Sequence, residues 1–146
     1  MLKKKFILVS MREDYVYNNS EVRFGIDKKL IDWIIHLGFN PILISDLNTL
    51  NYFEAQNLFK IYGIILSGGN DINKKTSRYK IEKKLTNISK KKKIPLLGIC
   101  HGLQFINFYE GGSLKKIRNH VRTIHKIKSK HDYPQRVNSF HKFGIK

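Results

Sequence analysis

The feature that most narrows the folds open to this chain is a lone cysteine with a glycine two residues to either side, set between an apolar run and a helix-forming run. Ile94-Pro95-Leu96-Leu97-Gly98-Ile99 reads as a buried strand that enters Cys100 directly, and residues 101–109 carry Leu103, Ile106 and Tyr109 at helical spacing. Gly98-Ile99-Cys100-His101-Gly102 therefore has the form of a strand–turn–helix nucleophile elbow, with cysteine in place of serine. Such a turn forces strained backbone on the central residue, and the two glycines let strand and helix approach closely. The Cys100 side chain then projects past the sheet at the positive end of a helix, a location that favours thiolate. The backbone N–H of His101 points to the same place and suits an oxyanion. An inert cysteine at a strand end is the competing reading; the paired glycines and the strand–helix context weigh against it.

The rest of the chain alternates strand and helix. Phe6 to Val9, Pro41 to Ser45 and Tyr62 to Leu66 are short apolar runs of the kind covered on both faces. Between them, Phe24 to Leu37 has helical spacing, with Ser20 or Asn19 as cap and Gly38 as stop, and Asn48 to Lys60 reads as a second amphipathic helix. Glu13 to Asn19 reads as a polar loop and Asn70 to Thr76 as a mobile-looking one, followed by a helix over Ser77 to Lys91. Past Gly111-Gly112, short strands are expected at Thr123 to Lys128 and Gln135 to Phe140. The pattern predicts one α/β domain over residues 1–146, a mostly parallel sheet with helices on both faces. Ligands of such sheets bind beyond the carboxyl ends of the strands, where Ser67-Gly68-Gly69 and Cys100 fall. Backbone N–H groups of a Gly68-Gly69 loop are able to approach a substrate oxygen, although an ordinary tight turn has the same look.

Charge is the unusual part of the composition: 28 Lys+Arg against 11 Asp+Glu give +17. Dense positive charge suits phosphate. Here the cationic clusters are scattered, lack interleaved aromatic residues and accompany abundant isoleucine and asparagine, the mixture that A/T-rich coding DNA produces. Nucleic-acid binding is not the expected main function. No apolar run approaches the ~20 residues of a membrane span. Lys3-Lys4-Lys5 before Phe6 to Val9 breaks into polar residues too soon for a secretory signal, so a cytoplasmic location is expected. One cysteine excludes an internal disulfide and a multi-cysteine metal site.

An ordered set of motifs resembles a known family. It consists of Leu66-Ser67-Gly68-Gly69-Asn70-Asp71-Ile72, Arg78 and Glu82 at R-x-x-x-E spacing, Ile94 through Asn107, Gly111-Gly112-Ser113-Leu114, and Val137-Asn138-Ser139-Phe140-His141. The chain resembles class I glutamine amidotransferase-like proteins of flavodoxin-like architecture, and among them the gamma-glutamyl-gamma-aminobutyrate hydrolases. The resemblance implies a cysteine hydrolase acting on a small gamma-glutamyl amide. Cys100 would be the nucleophile, and the N–H groups of His101 and of Gly68 or Gly69 the oxyanion hole. Release of the amine would leave a thioester for water to cleave. Gln104 and His141 match positions lining the substrate site, and no metal or cofactor is implied. Arg23 and Asp27, ahead of Trp33 and Gly38-Phe39-Asn40-Pro41-Ile42, resemble shorter members found with surface-polysaccharide genes, some similar to hydrolases of gamma-glutamyl nucleotide amidates. For Arg23 and Arg78, recognition of a carboxylate or phosphate stands beside a solvated charge or a structural ion pair.

The family's catalytic base lies in a later H-P-E motif that has no match in these 146 residues. Three readings follow: a C-terminally truncated chain, a degenerate homologue that binds without turnover, or replacement of the base by one of six histidines. His141 is the first candidate for that replacement, ahead of His120 and His125, although each of them reads as a substrate contact or a surface histidine before it reads as a base. The substrate amine, the general base and the oligomeric state are not set by the sequence.

Overall fold

The computed structural model describes residues 5–18, 20–56, 60–127 and 135–146. Four strands form a parallel sheet: β1 (Phe6–Ser10), β4 (Asn40–Ile44), β5 (Ile61–Leu66) and β6 (Leu96–Gly98), in the order β4-β1-β5-β6. Because side chains alternate across a strand, each apolar run feeds two cores. Leu8, Ile44, Ile64 and Leu66 pack on one face against Leu50 of α2 (Leu47–Gln56), Ile81, Leu85 and Ile88 of α3 (Ser77–Lys92), and Phe105 of α4 (His101–Tyr109). Ile7, Val9 and Ile65 pack on the other face against Ile34 of α1 (Lys28–His36), with Leu30 and Ile99 at the margin. Helices thus cover both faces, as the strand–helix alternation predicts.

The helix ends follow local chemistry. Asp27, rather than Ser20, caps α1 by accepting from the Lys29 N–H, and Asn19 lies outside the described residues. Gly38 takes the positive φ of +80° that ends that helix. Thr76 caps α3 by accepting from the Tyr79 N–H. Leu58 and Phe59, read as part of the second helix, lie outside the described residues.

Three antiparallel pairs stand apart from the sheet. The first corrects the sequence reading: Glu13 to Val16 are a strand and not part of a loop, and Phe24 is in a strand and not at a helix start. β2 (Arg12–Val16) and β3 (Glu21–Gly25) form a hairpin in which Glu13 faces Phe24 and Tyr15 faces Val22. Its period-2 pattern is short and mixed with charge, so helical spacing downstream masks it. β8 (Val121–Ile127) pairs with β9 (Gln135–Phe140), close to expectation. β7 (Leu114–Lys116) pairs with β10 (Phe143–Ile145), two strands of three residues that the sequence does not announce.

Leu85 is fully buried between the sheet and α3. We expect Leu85→Ala to cost about 2–5 kcal/mol, read from the shift in urea unfolding midpoint.

Candidate active site

The carboxyl ends of β1, β5 and β6 converge with the start of α4, and the glycines explain how closely. A Cβ on Gly102 would lie 2.1 Å from the Leu66 carbonyl oxygen, and one on Gly98 would lie 2.6 Å from Gly102 and Leu103 backbone atoms. Neither contact is sterically possible, so both positions require glycine. Cys100 takes φ +51° and ψ −104°, a strained conformation for a side-chain-bearing residue, and it is exposed. First-turn N–H groups of a helix have no intrahelical acceptor, and that of His101 opens α4 directly after Cys100, while that of Gly102 donates to the Ile99 carbonyl at 2.9 Å. Gly68 lies against Cys100: a Cβ there would sit 3.7 Å from the Cys100 Cβ. Gly69, at φ +104°, leaves no room for a side chain beneath Arg12.

Beneath this surface lies a buried polar network that spacing arguments only partly anticipate. Glu82 is wholly buried, and its carboxylate accepts from Ser10 Oγ (2.9 Å), Arg78 Nε (2.8 Å) and His101 Nε2 (2.8 Å). Arg78 continues outward: its Nη2 donates to the Ser67 carbonyl at 2.6 Å and its Nη1 to Asn70 Oδ1 at 3.2 Å. Ser10 Oγ also accepts from the Ser67 N–H. Asn70 exchanges hydrogen bonds with both backbone groups of Glu13, and the Glu13 carboxylate accepts from the Arg78 N–H at 2.7 Å and from Tyr15 Oη at 2.5 Å. One hydrogen-bonded unit thus joins the ends of β1 and β5, the hairpin, α3 and the elbow. The loop from Asn70 to Thr76, mobile-looking in sequence, is pinned at both ends by Asn70 and by the Thr76 cap.

Of the two readings of Arg78, the network favours the structural ion pair: its guanidinium is 3% exposed and engaged with Glu82, Ser67 and Asn70. Arg23 stands on the hairpin, more than half exposed, paired with Glu21 at 2.5 Å, and the structure does not bring it into the elbow. Gln104 and His141 do converge with Cys100, around a cavity of about 260 Å³ lined also by Leu103, Phe143 and Ile145. Both donate to one acceptor, the Phe143 carbonyl, from Gln104 Nε2 at 2.6 Å and from His141 Nδ1 at 2.8 Å. Phe143 is a site residue that the sequence hides, because a three-residue strand leaves no periodicity to read. His120 lies between His141 and His125, with ring centroids 5.2 and 4.7 Å away. Among the described residues, no group of three or more His, Cys, Asp or Glu side chains is arranged to hold a metal ion, and no helix is long and apolar enough to cross a membrane.

Burial alone would raise the Glu82 carboxyl, but hydrogen bonding to His101 and the charges of Arg78 and His101 outweigh it and hold the group below its ordinary 4.5. A depressed folded-state value means that this carboxylate stabilises the fold above about pH 4.5 and that the contribution is lost as pH falls through the depressed value. Removing it leaves the buried Arg78 guanidinium and the His101 ring without their partner, at a cost of about 3–5 kcal/mol. We therefore expect Glu82→Gln to lower the urea midpoint strongly at pH 7. The gap from wild type should narrow in acid, and a gap independent of pH would contradict the ionised assignment.

This is the fold and elbow of the class I glutamine amidotransferase-like proteins. Over the whole chain it superposes on a glutamine amidotransferase of Thermotoga maritima with a TM-score of 0.60 at 17% identity, covering 64% of that structure, a likeness of fold. The profile of the peptidase C26 family matches residues 8–146, and the chain belongs to that family. It is 34% identical over 125 residues to the gamma-glutamyl-CDP-amidate hydrolase of Campylobacter jejuni, covering 80% of this chain and 58% of that protein. It is also 38% identical over 86 residues to one subunit of the glutamine-hydrolysing GMP synthase of Methanococcus vannielii, covering 59% of this chain and 42% of the relative. The chain spans less than two thirds of the length of each of these proteins.

Proposed function

We propose that this chain carries the nucleophile of a hydrolase acting on a gamma-glutamyl amide, and that its substrate class is a gamma-glutamyl nucleotide amidate. The observation that carries the reading is Cys100 held at φ +51° at the N-cap of α4, with Gly68 packed against it and Gln104 and His141 lining the same cavity. The Campylobacter relative's activity on gamma-glutamyl-CDP-amidate supports the choice of substrate. So does a depression of about 530 Å³ that continues the cavity past Gln104 and Phe143 to Phe108, Lys74 and Leu114. It offers aromatic surface and a cation to the part of the substrate beyond the glutamyl group, and its size is that of a small-molecule site.

In the proposed reaction the Cys100 sulfur bonds to the gamma-carbonyl carbon. The carbonyl electrons move onto oxygen, toward the His101 N–H and that of Gly68 or Gly69. Collapse breaks the carbon–nitrogen bond, and the amine leaves with a proton. Water then adds to the thioester, releasing glutamate and restoring the thiol. A proton acceptor is needed at both stages. Within this cavity His141 offers one: its Nδ1 donates to the Phe143 carbonyl, so Nε2 is the ring nitrogen left to accept a proton. No metal or cofactor enters these steps.

The test is glutamate release from gamma-glutamyl amides, followed with wild-type chain, Cys100→Ala and His141→Gln. Wild type should release glutamate, Cys100→Ala none above background, and His141→Gln at least about 100-fold less, as expected for loss of an acid–base group. Full activity in Cys100→Ala would end the proposal.

A further inference from the structure

His101 takes part in the site with more than its main chain. Its N–H opens α4 beside Cys100, while its side chain turns inward, 3% exposed, between two acceptors. Nε2 lies 2.8 Å from Glu82 Oε2 and Nδ1 lies 2.7 Å from the Asn70 carbonyl oxygen. The ring stacks on the fully buried Phe105, centroids 6.5 Å apart with 26° between planes, which fixes its orientation. A carbonyl and a carboxylate only accept, so a ring donating from both nitrogens satisfies the site. Asn70 directly follows Gly68-Gly69 and is itself held at φ +25°, a conformation that needs support from its surroundings.

We infer that His101 is a positioning residue that aligns the two halves of the oxyanion hole: anchored on Glu82, its ring holds the Gly68–Asn70 loop in register with the N–H of the same residue. The other contacts on the loop come from elsewhere. Arg78 reaches Ser67 and the Asn70 side chain from α3, and Glu13 reaches Asn70 from the hairpin. Among the described hydrogen bonds, the His101 ring is the side-chain link from the elbow to the Asn70 backbone. The R-x-x-x-E spacing of Arg78 and Glu82 acquires a purpose from this arrangement: one residue braces the loop while the other holds the ring that braces it. The inference rests on the reading of Cys100 as a nucleophile, which is tested separately.

Two amide substitutions divide the two bonds. Asparagine places a donor near Nδ1 and so keeps the link to Asn70, whereas glutamine places one near Nε2 and keeps the link to Glu82. The full chain, as wild type, His101→Asn and His101→Gln, is reacted with a glutamine-analogue diazoketone, which needs an assembled site, and with iodoacetamide, which needs only a thiol. Hydrogen exchange at the amides of residues 68–71 is followed in parallel. His101→Gln is expected to slow diazoketone labelling of Cys100 by roughly tenfold or more, as misalignment of reacting groups does. Its iodoacetamide rate should stay within about twofold, and its loop amides should exchange faster. His101→Asn should stay near wild type in both respects, a rescue that a merely structural role for the ring would not produce. Equal behaviour of the two variants, or wild-type loop exchange in His101→Gln, overturns the inference. Should wild type fail to react selectively with the diazoketone, the nucleophile reading fails while the exchange data still decide the link to the loop. If both amide variants unfold, His101→Arg keeps a cation against Glu82 and a second N–H for Asn70. Folded His101→Arg with loop exchange near wild type supports the alignment role, and fast loop exchange in it overturns that role.

Discussion

The site depends on one buried carboxylate. Glu82 has no exposed surface, and three elements meet on it: the end of β1 through Ser10, the first turns of α3 through Arg78, and the elbow through His101. An unpaired charge at that depth would be prohibitive, so the partners and the carboxylate are held by mutual need. Arg78 carries the constraint on to Ser67 and Asn70, and Asn70 to the hairpin through Glu13. The surface around Cys100 is therefore the lid of a polar core, not a set of independent loops.

Glycine supplies the complementary constraint. At Gly98 and Gly102 there is no space between strand, helix and the Leu66 carbonyl for a single carbon atom. This closeness presses Cys100 into positive φ and aims it past the sheet, while Gly68 lets the neighbouring loop lie against it. The elbow and the polar core act in sequence: sterics set the backbone of Cys100, and hydrogen bonds set what surrounds it.

Much of this was legible in the residues. Continuous apolar runs gave the parallel strands, and the span of α4 follows from Leu103, Ile106 and Tyr109. The hairpin of β2 and β3 escaped because five-residue strands bearing Arg12, Asp14, Glu21 and Arg23 carry too little alternating hydrophobicity to outweigh the helical pattern that follows. Arg78 and Glu82 were visible as a spaced pair, but spacing does not tell which face of a helix is buried. On α3, with lysines over much of its surface, a buried arginine is the exception. His101 was legible as a backbone donor only, since its partner Glu82 lies 19 positions away and Asn70 lies 31 away. The +17 charge, prominent in composition, plays no part in the buried core, where Arg78 and His101 face Glu82 and Glu13.

The chemistry proposed for this member of the peptidase C26 family is acyl transfer from a gamma-glutamyl amide to the Cys100 thiol. The most direct measurement is intact-mass and peptide mass spectrometry of the chain after brief exposure to a gamma-glutamyl amide and acid quench. The account predicts one gamma-glutamyl group on the peptide containing Cys100, removed by neutral hydroxylamine as a thioester is. An unmodified Cys100 under conditions in which glutamate is released, or an adduct on another residue, would contradict it.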